Sequence, residues 1–173
     1  MRSNALEQAK KCLQIRDVWM SRSRAWIAEG FDPKYSRVKS VSAQFKHGVS
    51  RYTFSEVTGK GKQEGRFLFR VYLDLGMRLT RMYPDQDPEN KTEQDAEDMV
   101  LAQIETVMVA EYLTDNDPGQ EALEAFAAQN ASYHAWPFWR EYLVSQCERM
   151  RLPKVMVPTM MIPEDMGKKG SSG

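Results

Sequence analysis

The sequence predicts an α+β fold: a four-stranded antiparallel sheet covered on one face by a long, proline-broken C-terminal helix, with an extra N-terminal helix. Apolar residues recur at helical spacing near both ends of the chain and alternate with polar residues between them. Glycines and prolines mark the changes of period. A chain of 173 residues, of which 42% are hydrophobic, suffices for one domain with its own core.

We therefore predict a single domain over residues 1–163, followed by a disordered tail, 164–173, that is rich in Gly, Ser and Lys. The predicted parts of the domain are an N-terminal helix within 1–32, an antiparallel sheet within 35–112, a long helix over 117–151 and an apolar exit segment over 152–163.

The N-terminal region has the pattern of one helix from Asn4 to about Glu29. Asn4 can cap it, with Glu7 three residues later in a capping-box arrangement, and Gly30 stands where a helix would end. An apolar residue recurs every seven positions along it: Leu6, Leu13, Met20 and Ile27. Such a stripe can pack on a sheet or on the same helix of a partner subunit, and the pattern does not decide between them.

Alternation with a period of two predicts four strands. The first two are Val41–Phe45 and Val49–Val57, separated by a turn at His47 and Gly48. The third has an apolar residue at every odd position from 67 to 79, with arginines among the even ones, so one face is buried and the other wetted.

The fourth predicted strand, Asp98–Tyr112, carries apolar residues on both faces. A two-sided apolar strand favours a second cover, such as another subunit or a client chain. We therefore predict a homo-oligomer in which the second face of this strand forms the interface, through Met99, Leu101, Val107 and Val109.

The C-terminal helix contains the sequence Trp136-Pro137-Phe138-Trp139-Arg140-Glu141. From Trp139 to Met150, apolar residues at i, i+3 and i+4 spacing predict one buried face. Pro137 cannot donate its amide, so the helix is expected to kink or restart there. A short apolar stretch, Leu152–Pro158, follows between two prolines, Pro153 and Pro158.

This order of elements resembles the SecB export chaperone family. The family carries a Phe-Pro-Tyr-Ala-Arg-Glu type motif in its long helix, which Trp136, Pro137, Phe138, Arg140 and Glu141 resemble. It then has an Arg-Gly-x-Phe-Pro-x-Leu-x-Leu-x-Pro type exit, which residues 151–158 match one residue short. The resemblance covers about residues 35–158, and its specific part is the last quarter.

The resemblance implies an ATP-independent holdase that binds unfolded polypeptide in long apolar grooves and assembles as a tetramer, a dimer of dimers. It implies no catalytic residue, no cofactor and no metal. Methionine is a flexible side chain suited to varied clients, and the chain has 11 methionines. Our candidate client contacts are Tyr52, Phe54, Met156, Met160 and Met161, although packing in the core or an interface is the alternative for each.

Some features depart from the family. The export chaperone is strongly acidic and docks the translocase motor through an acidic sheet surface, whereas this chain has a pI near 6.7 and places Arg66, Arg70 and Arg78 on the wetted face. Docking to that motor is therefore doubtful. The family's second C-terminal helix is missing or truncated. These features are similar to divergent members that serve antitoxins or particular substrates, or that occur on mobile elements.

Other classes of function have weaker support. Equal numbers of basic and acidic residues, 24 each, give no global attraction for nucleic acid. No apolar run is long enough for a membrane span, and the N-terminus lacks a signal-peptide pattern, so we expect a cytoplasmic protein. The acidic stretch 85–89 lacks the glycine of a calcium loop.

We find no catalytic motif around the two histidines, His47 and His134. Two non-enzymatic alternatives to a chaperone remain open. One is an oligomeric structural module of phage or mobile-element origin that binds no client. The other is an RNA-binding sheet, which Tyr52, Phe54 and the nearby arginines suggest.

Overall fold

The computed structural model describes residues 2–38, 40–57, 65–82 and 100–157. Three helices and four strands make up this part of the chain. In order they are α1 (Arg2–Cys12), β1 (Gln14–Ile27), β2 (Val41–Val57), β3 (Arg66–Arg81), β4 (Val100–Thr114), α2 (Gln120–Gln129) and α3 (Ala131–Arg149).

The four strands form one antiparallel sheet in the order β1-β4-β3-β2. The first two strands of the chain therefore lie at opposite edges, and residues 28–40 connect one edge to the other. A turn in this connection is held by Asp32, whose Oδ1 accepts hydrogen bonds from the backbone N–H groups of Lys34 and Tyr35 at 2.8 and 3.0 Å. These bonds stabilise the charged carboxylate and hold the pKa of Asp32 below its usual value.

The helices cover one face of this sheet. The odd positions of β3 from Phe69 to Leu79 are buried there, as are the even positions of β4, and they pack against the buried faces of α2 and α3. The predicted α+β class, the sheet with one helix-covered face, the N-terminal helix and the bent C-terminal helix are confirmed. The C-terminal helix is interrupted at Asn130, between α2 and α3, whereas Pro137 lies inside α3.

The N-terminal helix is shorter than predicted, because α1 ends at Cys12 and residues 14–27 form β1. This edge strand has register shifts between Ile15 and Asp17 and between Met20 and Arg22. Each shift inserts one extra residue, so the spacing of side chains on one face alternates between two and three residues. The second shift puts Met20 and Ile27, seven residues apart, on the same face, and seven residues are also about two turns of the helix that was predicted.

The predicted turn at His47 and Gly48 is also wrong. Val41–Val57 is a single strand, in which His47 pairs with Leu75 and Gly48 with Asp74. The long partner β3 supplies hydrogen bonds throughout, so pairing with it outweighs the local turn signal. The sheet still has the predicted number of four strands. The first two predicted strands are one strand, β2, and β1 is a strand that was not predicted. The sheet begins at residue 14 rather than at 35.

No helix in the described part of the chain is long and apolar enough to cross a membrane.

Candidate functional site

The Trp-Pro-Phe-Trp motif lies in the middle of α3, and its side chains lie on different faces of the helix. Trp139 is 1% exposed and faces the core, while Phe138 is 50% exposed. Trp136 is half-buried, and its ring meets the His47 ring of β2 edge-on, with centroids 5.5 Å apart. Pro137, Arg140 and Glu141 are exposed. The motif therefore fixes the helix on the sheet through its tryptophans and leaves Phe138 available for contact.

Two histidines attach the start of α3 to the sheet. His47 Nε2 on β2 shares a hydrogen bond with Ser132 Oγ at 2.7 Å. His134 Nδ1 shares one with Tyr112 Oη on β4 at 2.9 Å. Partial burial disfavours the imidazolium and lowers the pKa of both histidines, and burial raises the pKa of the Tyr112 phenol. Through these two bonds the histidines hold the start of α3 on β2 and β4.

We expect the melting temperature to fall between about pH 7 and about pH 5 because of these histidines. Their pKa values are lower in the folded chain than the ordinary 6.5, so the unfolded chain binds protons more readily. Their contribution to stability is complete above the ordinary pKa and is lost as the pH falls below it towards the lowered folded-state values. Calorimetry of the wild type and of His134→Gln across this pH range tests the prediction. The melting temperature of the variant should fall less steeply with pH than that of the wild type. Equal slopes would show that His134 does not cause the fall.

Two of the predicted client contacts, Tyr52 and Phe54, lie on the helix-facing side of β2. Both are half-buried and pack against the core. The Phe54 ring stacks on Phe67, with centroids 5.1 Å apart, and the Tyr52 hydroxyl donates a hydrogen bond to Glu124 at 3.3 Å. Much of the surface of these two rings is already used within the chain.

The exit segment presents one strongly exposed apolar residue. Leu152 and Val157 are buried and anchor the segment, Pro153 is exposed, and Met156 is 89% exposed. Met156 is thus displayed between two anchored positions, as a client contact requires. The other predicted residues of this region, Pro158, Met160 and Met161, lie outside the described residues.

The predicted interface residues on β4 face away from the helices. Val109 and Leu101 are buried, although no subunit covers them here. In register, Val109 lies between Trp19 of β1 and Tyr72 of β3, so these larger neighbours shield it. Val107 is half-buried and retains some surface. Met99 lies outside the described residues.

A larger apolar surface lies on β1, where we predicted a helix. We call it the β1 shelf: Ile15, Met20 and Ile27, which are 47%, 45% and 36% exposed. Their register partners on β4 are Tyr112, Met108 and Ala102, all core residues, so the three side chains lie on the helix side of the sheet. A hydrogen bond between Ser23 Oγ and Tyr142 Oη ties the middle of β1 to α3. The shelf thus continues the hydrophobic core outwards to the sheet edge.

The signal for this surface was present in the sequence, because Met20 and Ile27 belong to the seven-residue repeat. The sequence did not reveal that these two residues lie on a strand, which is what exposes them.

The described residues contain no group of three or more His, Cys, Asp or Glu side chains that could hold a metal ion. Both cysteines are free thiols, and burial raises the pKa of Cys147.

The sequence is similar to two curated proteins. The SecB-like chaperone Rv1957 of Mycobacterium tuberculosis (strain ATCC 25618 / H37Rv) is 24% identical over 156 residues, which is 87% of this chain and 78% of the relative. The SecB-like chaperone MT2006 of Mycobacterium tuberculosis (strain CDC 1551 / Oshkosh) matches with the same identity and coverage. No protein-family model matches the chain.

The fold is similar to a solved structure of Mycobacterium tuberculosis Rv1957 SecB-like chaperone in complex with a ChAD peptide from Rv1956 HigA1 antitoxin. The TM-score is 0.61 and the identity 16%, and the match covers 92% of this chain and 98% of that chain. Sequence similarity and fold lead to the same relatives, and both extend well beyond the proline motifs. In both sequence and fold, the chain is therefore similar to SecB-like chaperones.

Proposed function

We propose that this protein is a chaperone that binds unfolded polypeptide without ATP and without catalysis, and that its clients include an antitoxin or a similar dedicated substrate. The observation that carries the proposal is the β1 shelf, a row of large apolar side chains left uncovered along an edge strand. The relatives are named SecB-like chaperones, and the similar solved structure holds an antitoxin peptide. Both support the proposal.

The shelf suits an extended client. Ile15 and Ile27 are 12 positions apart in one strand, so the shelf is about 40 Å long, the length of an extended peptide of about 12 residues. Edge strands also offer unpaired backbone N–H and C=O groups, which bind any extended chain regardless of its sequence. Apolar contact and backbone pairing together give binding that is tight enough to hold a client but not specific for one sequence.

Other predicted contacts belong to the same proposal. Met156 adds a flexible, exposed contact, while the half-buried Tyr52 and Phe54 contribute less. We also infer a homo-oligomer, a dimer or tetramer, in which Val107 is the described β4 residue with surface to contribute. The free thiols of Cys12 and Cys147 support a cytoplasmic location.

An aggregation assay tests the proposal. At a stoichiometric ratio and without ATP, the protein should suppress light scattering by a chemically unfolded test protein as it is diluted into buffer. The triple variant Ile15→Thr, Met20→Thr, Ile27→Thr should bind the client about tenfold or more weakly. Each contact contributes on the order of 1 kcal/mol, and threonine preserves the preference for a strand.

The matched control replaces three equally exposed apolar residues elsewhere: Val57→Thr, Met82→Thr and Tyr133→Thr. It should suppress aggregation as the wild type does. Wild-type protein that leaves scattering unchanged would favour the alternative, an oligomeric module that binds no client. If both triple variants lost the same amount of aggregation suppression, the client would not bind at the β1 shelf.

A further inference from the structure

The sheet face away from the helices has a hollow at its centre. One row across the four strands consists of Arg24, Glu105, Gly76 and Lys46. A Cβ atom on Gly76 would be in van der Waals contact with Glu105 Cγ at 3.4 Å and with Lys46 Cβ at 3.5 Å, and so would fill the space between these two side chains. Glycine therefore leaves a depression between the two long side chains, while the strand pairing continues through it without a register shift.

This depression comprises two adjoining hollows of about 230 and 460 Å³. We call them together the basic hollow. Four basic side chains and two acidic ones line it, for a formal charge of +2 in a chain whose net charge is zero: Arg22, Arg24, Lys46, Arg78, Asp74 and Glu105.

Half of the positive charge in the basic hollow has no acidic counterpart in its lining. Lys46 Nζ reaches Asp74 Oδ2 only at 4.0 Å, and Arg78 Nε donates to the neutral Gln44 Oε1 at 2.6 Å. Arg22 and Arg24 are exposed and form no ion pair with any described residue. Two guanidinium groups thus keep their hydrogen-bond donors available for carboxylates from outside the chain.

We propose that the basic hollow docks an acidic polypeptide segment. Its charges extend from Arg24 on β1 to Lys46 on β2, three strand spacings or about 14 Å apart. Carboxylates on alternate residues of an extended peptide lie about 7 Å apart, so successive carboxylates can reach both sides of the hollow. This surface is distinct from the β1 shelf, since it lies on the opposite face of the sheet and recognises charge rather than apolar area.

A peptide fits this face better than a nucleic acid does. One face of the Tyr72 ring is covered by the Arg51 guanidinium, whose carbon lies 3.4 Å from the ring centroid, so that ring face is not available for a base to stack on. The chain as a whole also has no net charge to attract a polyphosphate.

Fluorescence anisotropy tests the docking with a labelled peptide of about twelve residues in which Glu alternates with Gly, at low salt. The wild type should bind it, and binding should weaken as salt is added. Arg22→Glu with Arg24→Glu should reduce the affinity at least about tenfold, whereas Arg22→Lys with Arg24→Lys should keep it within about threefold. If the glutamate variant does not fold, Lys46→Glu with Arg78→Glu reverses the charge on the other side of the hollow.

The matched control is Arg140→Glu with Arg149→Glu, which changes the net charge equally on exposed positions of α3. It should bind the peptide within about twofold of the wild type. If the control lost as much affinity for the peptide as the variant with Arg22→Glu and Arg24→Glu, the loss would be due to net charge alone. That result would overturn the proposal. Tighter binding of single-stranded oligothymidylate than of the acidic peptide, lost in the same variant, would overturn it too. The threonine variant of the β1 shelf should bind the peptide normally, whether or not the chaperone proposal holds.

Discussion

Replacing Trp139 by alanine should lower the free energy of unfolding by about 3–5 kcal/mol. The Trp139 side chain is among the largest that are fully buried, and its ring lies 6.2 Å from the ring of Tyr142. Alanine removes the whole indole and leaves a cavity between α3 and the sheet, because both strands and helix are held by many other contacts and close the gap only partly.

Urea unfolding followed by circular dichroism measures this change. Phe138→Ala is the matched control, since it removes an aromatic ring from the next position of the same helix but from a half-exposed site. We expect Phe138→Ala to lower the free energy of unfolding by less than about 1 kcal/mol. A Trp139 variant that unfolds at the same urea concentration as the control would show that the indole does not support the core.

A loss of about 3–5 kcal/mol is likewise expected for Phe69→Ala in β3. Phe69 is completely buried, and its ring lies within 5.7–6.4 Å of four others: Tyr52, Phe54, Tyr112 and Phe126. Removing it deprives rings from two strands and one helix of their common neighbour. The same unfolding experiment measures the loss.

Phe45→Ala is its control, because Phe45 lies on the same side of the sheet but is 41% exposed at the β2 edge. It should unfold nearly as the wild type does. Should the two variants unfold alike, the aromatic cluster would not be the stabilising centre of the domain.

In the elements that were predicted well, the spacing of apolar residues is regular along the whole element. β3 alternates at every position from Phe67 to Leu79, and the apolar spacing of α3 continues from Trp139 to Cys147. Burial on one face was therefore predictable in both elements. The bend in the C-terminal helix was predictable too, but its place was not. An interior proline is a strong local signal, whereas neither proline nor glycine marks the interruption at Asn130.

β1 was not predictable by the same method. Its helix-facing residues fall at 15, 18, 20, 23, 25 and 27, which are spacings of three and two. The bulge between Met20 and Arg22 brings Met20 and Ile27, seven residues apart, to the same face, whereas in a regular strand they would lie on opposite faces. Seven residues are also about two turns of a helix, so this repeat favoured the wrong structure. Only pairing with β4, which is distant in sequence, decides between the two structures. The candidate contacts on β1 were missed for this reason.

The placement of β1 and β2 at opposite edges also determines the order in which the chain can fold. β2, β3 and β4 follow one another with antiparallel pairing, but the pairing of β1 with β4 joins residues as far apart as Gln14 and Leu113, 99 positions along the chain. Closing so large a loop carries a greater entropic cost than pairing β2 with β3 or β3 with β4, so β1 adds last. During synthesis β1 leaves the ribosome before the other three strands and stays unpaired until β4 has been made.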